Sequence, residues 1–273
     1  MVAFSMLLVS CQKDDTNDTK DVEKIKVTAN LSQGETTKVD IDSDGFRVYW
    51  TNADAVSVFG QLRGKNSYLG QLTTAIIEKS KRALFEGDVD KAADDKYYVF
   101  YPNEMNDGTS INLDFSNLYC ENPDDNTYLS SYMYMVSKEP GHLDGDNKME
   151  FTMEHLTALL QFNVGVMSSG KFQLISVRLS GANINSFCKY NVYDKTADYN
   201  QGEIRLLFSQ PMDLYMGLRT FFIPVLPAEK GTVTVSFEVL NMDTKEVRMS
   251  EDISFIEGFK AGMRYTKTIQ LPI

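Results

Sequence analysis

Apolar and polar residues alternate with a period of two along most of this chain, and this pattern limits what the chain can fold into. In segment 232–239, Val233, Val235, Phe237 and Val239 fall on one face and polar side chains on the other. Because successive side chains of a β-strand point to opposite faces, the segment predicts a half-buried antiparallel strand. Similar segments lie at 25–31, 46–50, 56–59, 97–101, 111–115, 128–136, 159–166, 172–179, 204–208, 220–225 and 265–271.

Polar clusters that favour turns separate these segments. Asn, Asp and Gly are frequent at 103–108 and at 141–146, and no segment keeps helical periodicity for more than about two turns. Short strands at this spacing predict an all-β fold built of β-sandwiches. The strands would overfill one ordinary sandwich. We therefore expect two tandem β-sandwich domains, at 25–153 and 154–273, packed together without a flexible linker.

The beginning of the chain resembles the end of a bacterial lipoprotein signal peptide. An apolar run ends at Cys11, and Leu8-Val9-Ser10-Cys11 matches the lipobox, in which the cysteine is acylated and becomes the mature N-terminus. The run is too short to span a bilayer. We predict a signal peptide with its lipobox at 1–11, lipidation of Cys11, and a flexible tether at 12–24. The alternative is a frayed strand with an incidental cysteine, since no Lys or Arg precedes the run.

The residues that follow Cys11 bear on where the protein is exported. Gln12-Lys13-Asp14-Asp15 resembles the signals that send lipoproteins to the outer face of some Gram-negative outer membranes. A lipid anchor in the outer membrane, with the protein on the cell surface, is therefore the expected location.

Charge and cysteine content narrow the function further. The 273 residues carry a net charge of −11, which argues against a nucleic-acid partner, because phosphate contacts need clustered Lys and Arg. Apart from Cys11, the cysteines are Cys120 and Cys188. Two separately buried thiols are expected, and a disulfide is the alternative in an oxidising compartment.

Five further segments carry a resemblance to a known family when they are taken in order. They are Tyr49–Phe59, Tyr97–Pro102, Phe151 with His155–Val164, Phe222–Pro227 and Phe259–Thr266. Together, from about residue 25 to the C-terminus and behind a lipobox, they resemble the fimbrillin, or type V pilin-like (Mfa-like), family of surface lipoproteins from anaerobic Gram-negative bacteria.

The resemblance implies a fold and a function. The fold would be two transthyretin-like β-sandwich domains. The function would be a structural or adhesive subunit of cell-surface fimbriae, acting as stalk, tip or anchor. In that family a trypsin-like protease removes the N-terminal strand, and a strand of another fimbrial subunit fills the groove. Here the removable strand would be 25–31, and Arg47, the first Arg of the chain, is the candidate maturation cleavage site. The last strand, 265–271, would have to swing out to serve as a donor.

The sequence shows no arrangement that indicates catalysis. Asp40-Ile41-Asp42-Ser43-Asp44-Gly45 copies the first half of a calcium loop, but Thr51 stands where a bidentate Glu is needed, so an acidic hairpin turn is expected instead. His142 and His155 lack partners at zinc spacing, and His155 is expected to be structural. We therefore predict no enzyme activity, no catalytic residue, no cofactor and no bound metal.

One other function remains open at this point. A surface lipoprotein that does not polymerise could bind glycans or another ligand on host or bacterial surfaces. Tyr128, Tyr132 and Tyr134 are the aromatic residues that could stack on sugars, although they could equally lie in the core.

Overall fold

A computed structural model describes residues 23–33, 40–42, 45–47, 49–78, 80–103 and 108–273. The described residues form an all-β protein with one short 3₁₀ helix, Thr127–Ser131. None of its helices is long and apolar enough to cross a bilayer in this described part. The first eleven strands are β1 (Lys24–Gln33), β2 (Asp40–Asp42), β3 (Gly45–Arg47), β4 (Ala55–Leu62), β5 (Lys65–Thr74), β6 (Arg82–Asp90), β7 (Tyr98–Tyr101), β8 (Ser110–Asp114), β9 (Asn117–Cys120), β10 (Met135–Ser137) and β11 (Lys148–His155). The other ten are β12 (Ala158–Val166), β13 (Phe172–Ser180), β14 (Asn185–Asn191), β15 (Ala197–Gln201), β16 (Ile204–Leu214), β17 (Arg219–Val225), β18 (Ala228–Asn241), β19 (Val247–Met249), β20 (Ile253–Phe259) and β21 (Arg264–Leu271).

Seven strands of the first half close into a barrel. Their order is β1-β11-β10-β7-β4-β5-β6, and β6 pairs back onto β1. Closure leaves no free sheet edge around the barrel, so each strand is held on both sides.

The described strands of the second half lie in three sheets. The orders are β17-β12-β21, β15-β14-β8 and β19-β18-β13-β16-β9, and in the last of these β20 also pairs with β18. In segment 232–239, Val233, Val235 and Phe237 are fully buried, as the alternation predicts for a core-facing strand.

Two strands of the first half pair with strands of the second half. β8 runs antiparallel to β14, and β9 runs parallel to β16, with Asn117 opposite Arg205. The chain therefore leaves the barrel after β7, contributes β8 and β9 to sheets of the second half, and returns to the barrel at β10.

A tyrosine near the β14–β15 turn ties the two halves together. The Tyr193 hydroxyl accepts a hydrogen bond from the backbone N–H of Ser67 at 2.9 Å, and it lies 3.0 Å from the carbonyl oxygen of Gly60. The Tyr193 ring meets Tyr98 edge to face, with centroids 4.9 Å apart. Because one phenol satisfies several backbone groups at once, the contact fixes the turn against the β4–β5 hairpin.

Trp50, the only tryptophan in the sequence, lies in the core of the barrel. Its ring meets Phe85 and Tyr101 edge to face, at centroid distances of 5.0 and 5.3 Å. Its backbone pairs with Ser80 through two hydrogen bonds. These ring contacts and backbone hydrogen bonds attach the chain firmly to the barrel at residue 50.

The prediction of one strand over 128–136 is wrong in its first part. The 3₁₀ helix occupies Thr127–Ser131, and only Met135–Ser137 is extended. The Tyr128 hydroxyl donates a hydrogen bond to the carbonyl oxygen of Phe222 and accepts one from the Phe222 N–H. This pairing with a strand distant in sequence stabilises the turn against the local β-propensity.

Both cysteines described by the structure are free and buried. Burial raises the pKa of the Cys120 thiol to about 12 and that of Cys188 to about 11. Both thiols therefore stay protonated near neutral pH, where they act as small apolar core groups.

Candidate functional site

The first strand, β1, completes the barrel. The groove between β6 and β11 that holds it, called the seat of β1 below, is the main candidate functional site. β1 runs antiparallel to β6 over nine residue pairs and parallel to β11 over six. Ile25, Val27 and Ala29 point inward, with exposures of 9%, 0% and 0%. The side chains between them face outward, so the alternation predicted for 25–31 is present.

The exposed side chains of β1 and of its neighbour β6 carry complementary charges. Lys24 lies opposite Asp90 in the register, and Lys26 lies opposite Asp88. Opposite charges on directly paired residues favour this register over a slipped one. A slip by one residue would bring Lys26 toward the core and Val27 into water.

A short hairpin lies between β1 and β4. After β1, the chain passes through the β2–β3 hairpin, in which Asp40 lies opposite Arg47 and Asp42 opposite Gly45. Within the described residues this hairpin pairs with no strand of the barrel. The predicted cleavage residue Arg47 therefore lies between the removable strand and the anchored Trp50.

The β2–β3 hairpin contains the calcium-like motif at 40–45. The antiparallel pairing of Asp42 with Gly45 agrees with the expected acidic hairpin turn at 40–45. Among the residues that the structure describes, no group of three or more His, Cys, Asp or Glu side chains is arranged to hold a metal ion.

The last strand is paired on one side only within the described sheets. β21 runs parallel to β12 over eight residue pairs and forms the edge of its sheet. Ile269 and Leu271 point into the core, and Lys267 is tied to Glu257 at 3.1 Å. An edge strand with alternating inward side chains has the form of a strand that could be exchanged.

His155 lies at the end of β11 and is buried, as expected for a structural residue. Neither ring nitrogen has a hydrogen-bond partner among the described residues, and burial lowers its pKa from 6.5 to about 4. His142 is exposed, with Nδ1 3.7 Å from a carboxylate oxygen of Asp95. The two histidines therefore do not form a common site.

Of the aromatic residues considered for sugar stacking, Tyr128 and Tyr134 are buried at 8% and 7% exposure, and Tyr132 is half-buried. Tyr119, which is not among the three tyrosines predicted to stack on sugars, is 54% exposed beside Tyr132. The alternation of Asn117–Cys120, with Leu118 and Cys120 buried, is the signal that could have placed Tyr119 on an outer face.

The other predicted site, Cys11, lies outside the described residues.

One wall of the seat of β1 is the strand at 82–90, which the sequence pattern did not predict. The spacing of Ala83, Phe85 and Val89, which are all buried, is the pattern that could have predicted this strand.

Two solved structures with similar folds come from Bacteroides species. A candidate cell adhesion protein of Bacteroides uniformis is 16% identical over 90% of this chain and 93% of its own length, with a TM-score of 0.55. A candidate cell adhesion protein of Bacteroides fragilis is 11% identical over 90% of this chain and 93% of its own, with a TM-score of 0.51. At these identities the likeness concerns the fold.

Sequence comparison gives the family directly. No curated protein matches the chain significantly. The sequence profile of the fimbrillin-like family, in contrast, matches residues 15–272, which is nearly the whole chain. The predicted resemblance is confirmed, and the chain belongs to the fimbrillin-like family.

Proposed function

We propose that this protein is a structural or adhesive subunit of cell-surface fimbriae, exported as a lipoprotein and assembled by strand donation. Membership of the fimbrillin-like family supports a role with other fimbrial subunits at the cell surface. The observation that carries the proposal is the seat of β1, a strand held between β6 and β11 by pairing and by three inward side chains.

The physical basis is β-augmentation. Removing β1 exposes the backbone edges of β6 and β11 and an apolar groove where Ile25, Val27 and Ala29 had been. A donated strand with inward side chains at alternate positions satisfies the edges and fills the groove. β21 is the proposed donor strand; it pairs with β12 alone among the described strands and carries inward side chains at alternate positions.

The domain arrangement belongs to the same proposal. We propose two tandem transthyretin-like β-sandwich domains, at 25–153 and 154–273. The first contributes β8 and β9 to the sheets of the second.

Cleavage at Arg47 is the step that an experiment can isolate. Treating the purified protein with an arginine-specific protease should release the N-terminal fragment ending at Arg47, and only the trimmed protein should associate into ladders or fibres. Arg47→Gln should stay intact and monomeric. Arg63→Gln, which removes the arginine of the β4–β5 hairpin, is the matched control and should assemble like the unchanged protein.

N-terminal sequencing of the assembled material decides the outcome. Assemblies beginning at Val48 support the proposal. Assemblies in which residues 12–30 are still attached contradict it, as does a trimmed protein that remains monomeric.

The lipid anchor is proposed at Cys11. Cys11→Ser should leave the protein unanchored, because the acidic tract that follows offers no other attachment to a membrane. Mass spectrometry of the N-terminal peptide from membranes should find an acylated Cys11. An unmodified Cys11 or an intact Met1 would contradict this assignment.

A further inference from the structure

A cleft lies between the edge strand β9 and the 3₁₀ helix, away from the seat of β1. Its volume is about 270 Å³, and its walls are Tyr119, Glu121, Thr127, Tyr128, Ser131 and Tyr132. This volume is close to the lower end of ligand pockets, which span roughly 300–1,000 Å³, and it suits a ligand of about one or two sugar rings.

The walls of the cleft are held in place by long-range contacts. The Tyr132 hydroxyl accepts a hydrogen bond from the backbone N–H of Tyr119 at 3.2 Å, which joins the helix side to β9. The hydroxyl of Tyr128 is occupied by the backbone of Phe222. Because both tyrosines are fixed in this way, the shape of the cleft exists before any ligand arrives.

Several groups in the cleft retain unused binding capacity. The Tyr119 ring is 54% exposed, and the exposed side chains of Glu121 and Ser131 make no hydrogen bond with the described residues. The Tyr132 hydroxyl accepts a bond and still has its own proton to donate, while the Thr127 hydroxyl donates to Asp125 and keeps its lone pairs. The cleft thus offers one aromatic face, with donors and acceptors around it.

A neighbouring cleft of about 330 Å³ provides a contrast. Its main polar groups are already bonded to other protein groups, since Asn103 bonds Ser57 and Gln71, and Asp54 accepts from Thr51 and Tyr101. Apart from Ser131, which lines both clefts, its wall has little hydrogen-bonding capacity left for a ligand.

We infer that the cleft at Tyr119 binds a neutral saccharide. A pyranose ring has an apolar C–H face that can lie on the exposed Tyr119 ring, and hydroxyls that both donate and accept. The Glu121 carboxylate accepts from such hydroxyls, and Ser131 and Tyr132 supply the complementary donors. Glu121 in the wall, with Asp125 bonded to the wall residue Thr127, makes this side of the cleft acidic, which disfavours sialylated, sulfated or phosphorylated ligands.

This inference goes beyond assembly. The cleft is formed within a single chain and does not include β1, so it is present in the untrimmed monomer. A failure to bind sugar would leave strand donation untouched, and a failure to assemble would leave the cleft intact.

Saturation-transfer NMR on the untrimmed monomer tests the site, with lactose, maltose and N-acetyllactosamine as neutral probes and 3′-sialyllactose as the acidic one. At about 10 mM sugar, at least one neutral probe should receive saturation, and Tyr119→Ala should weaken its binding by about tenfold or more. Glu121→Gln should weaken it as well, because a charged acceptor becomes neutral. Tyr119 is largely exposed, so its replacement should leave the melting temperature unchanged.

Tyr199→Ala is the matched control, because Tyr199 is 39% exposed on β15 and does not line the cleft. Binding that survives Tyr199→Ala and is lost with Tyr119→Ala supports the site. The inference is overturned if no neutral probe receives saturation, if Tyr119→Ala binds normally, or if 3′-sialyllactose binds as well as lactose.

Discussion

Replacing Val27 with Asp should destabilise the barrel by more than about 4 kcal/mol, or prevent folding, because the new carboxylate would lie in an apolar interior without a partner. Val27 is fully buried on β1, opposite Gly87 of β6. Urea unfolding of the purified variant measures the loss of unfolding free energy.

Two companion variants keep this expectation testable. Lys26→Asp places the same carboxylate one residue earlier, on the exposed face of β1, where it loses the pair with Asp88 and repels it in solvent, and should cost only about 1–2 kcal/mol. Val27→Ala should fold and lose about 2 kcal/mol, through lost burial and the cavity that remains. If Val27→Asp is as stable as Lys26→Asp, β1 is not an integral strand of the barrel, and the groove proposed for strand donation does not exist.

Acidification should weaken the fold through His155. Its pKa is about 4 in the folded protein, against 6.5 for the ordinary side chain, so between these values the unfolded chain binds a proton that the folded chain does not. The resulting loss of unfolding free energy is absent above about pH 6.5, grows as the pH falls, and reaches about 3 kcal/mol at pH 4. Urea unfolding at pH 7, 5.5 and 4.5 should follow this decline.

His155→Leu should remove the part of the decline that begins near pH 6.5, because leucine has no titrating group and leaves no unsatisfied ring nitrogen in the core. Hydrogen bonds lower the pKa of Asp125, Asp144 and Asp194, so a smaller decline at lower pH remains in both proteins. His142→Gln, at the exposed histidine, is the control and should keep the full decline. Burial raises the pKa of Asp54, which changes stability in the opposite direction, so the comparison is made between variants that share Asp54. An unchanged pH dependence in His155→Leu would show that the burial of His155 has no such effect.

Much of the fold could be predicted because strand alternation is local information. Segments 25–31, 159–166 and 232–239 are strands in the structure, and Trp50 is in the core. β6 was missed because exposed Leu84 and Gly87 interrupt its apolar pattern. The turn at Tyr128 was missed because a contact with Phe222, almost a hundred residues away, decides its conformation. The cleft at Tyr119 depends on the same long-range contact, so local sequence patterns could not predict it.

The crossing of β8 and β9 has a consequence for how the chain reaches its native state. These strands are completed only by β14 and β16, so residues 110–120 are made long before their partners exist. Leu113 and Leu118 are fully buried in the folded protein. Until β14 and β16 have been synthesised, these apolar side chains lie in an unpaired segment. Pairings between such distant segments fold slowly, and unpaired strand edges invite aggregation in the meantime. A chain truncated after β11 would keep that exposure permanently, so the first half expressed alone should depend on chaperones for its solubility.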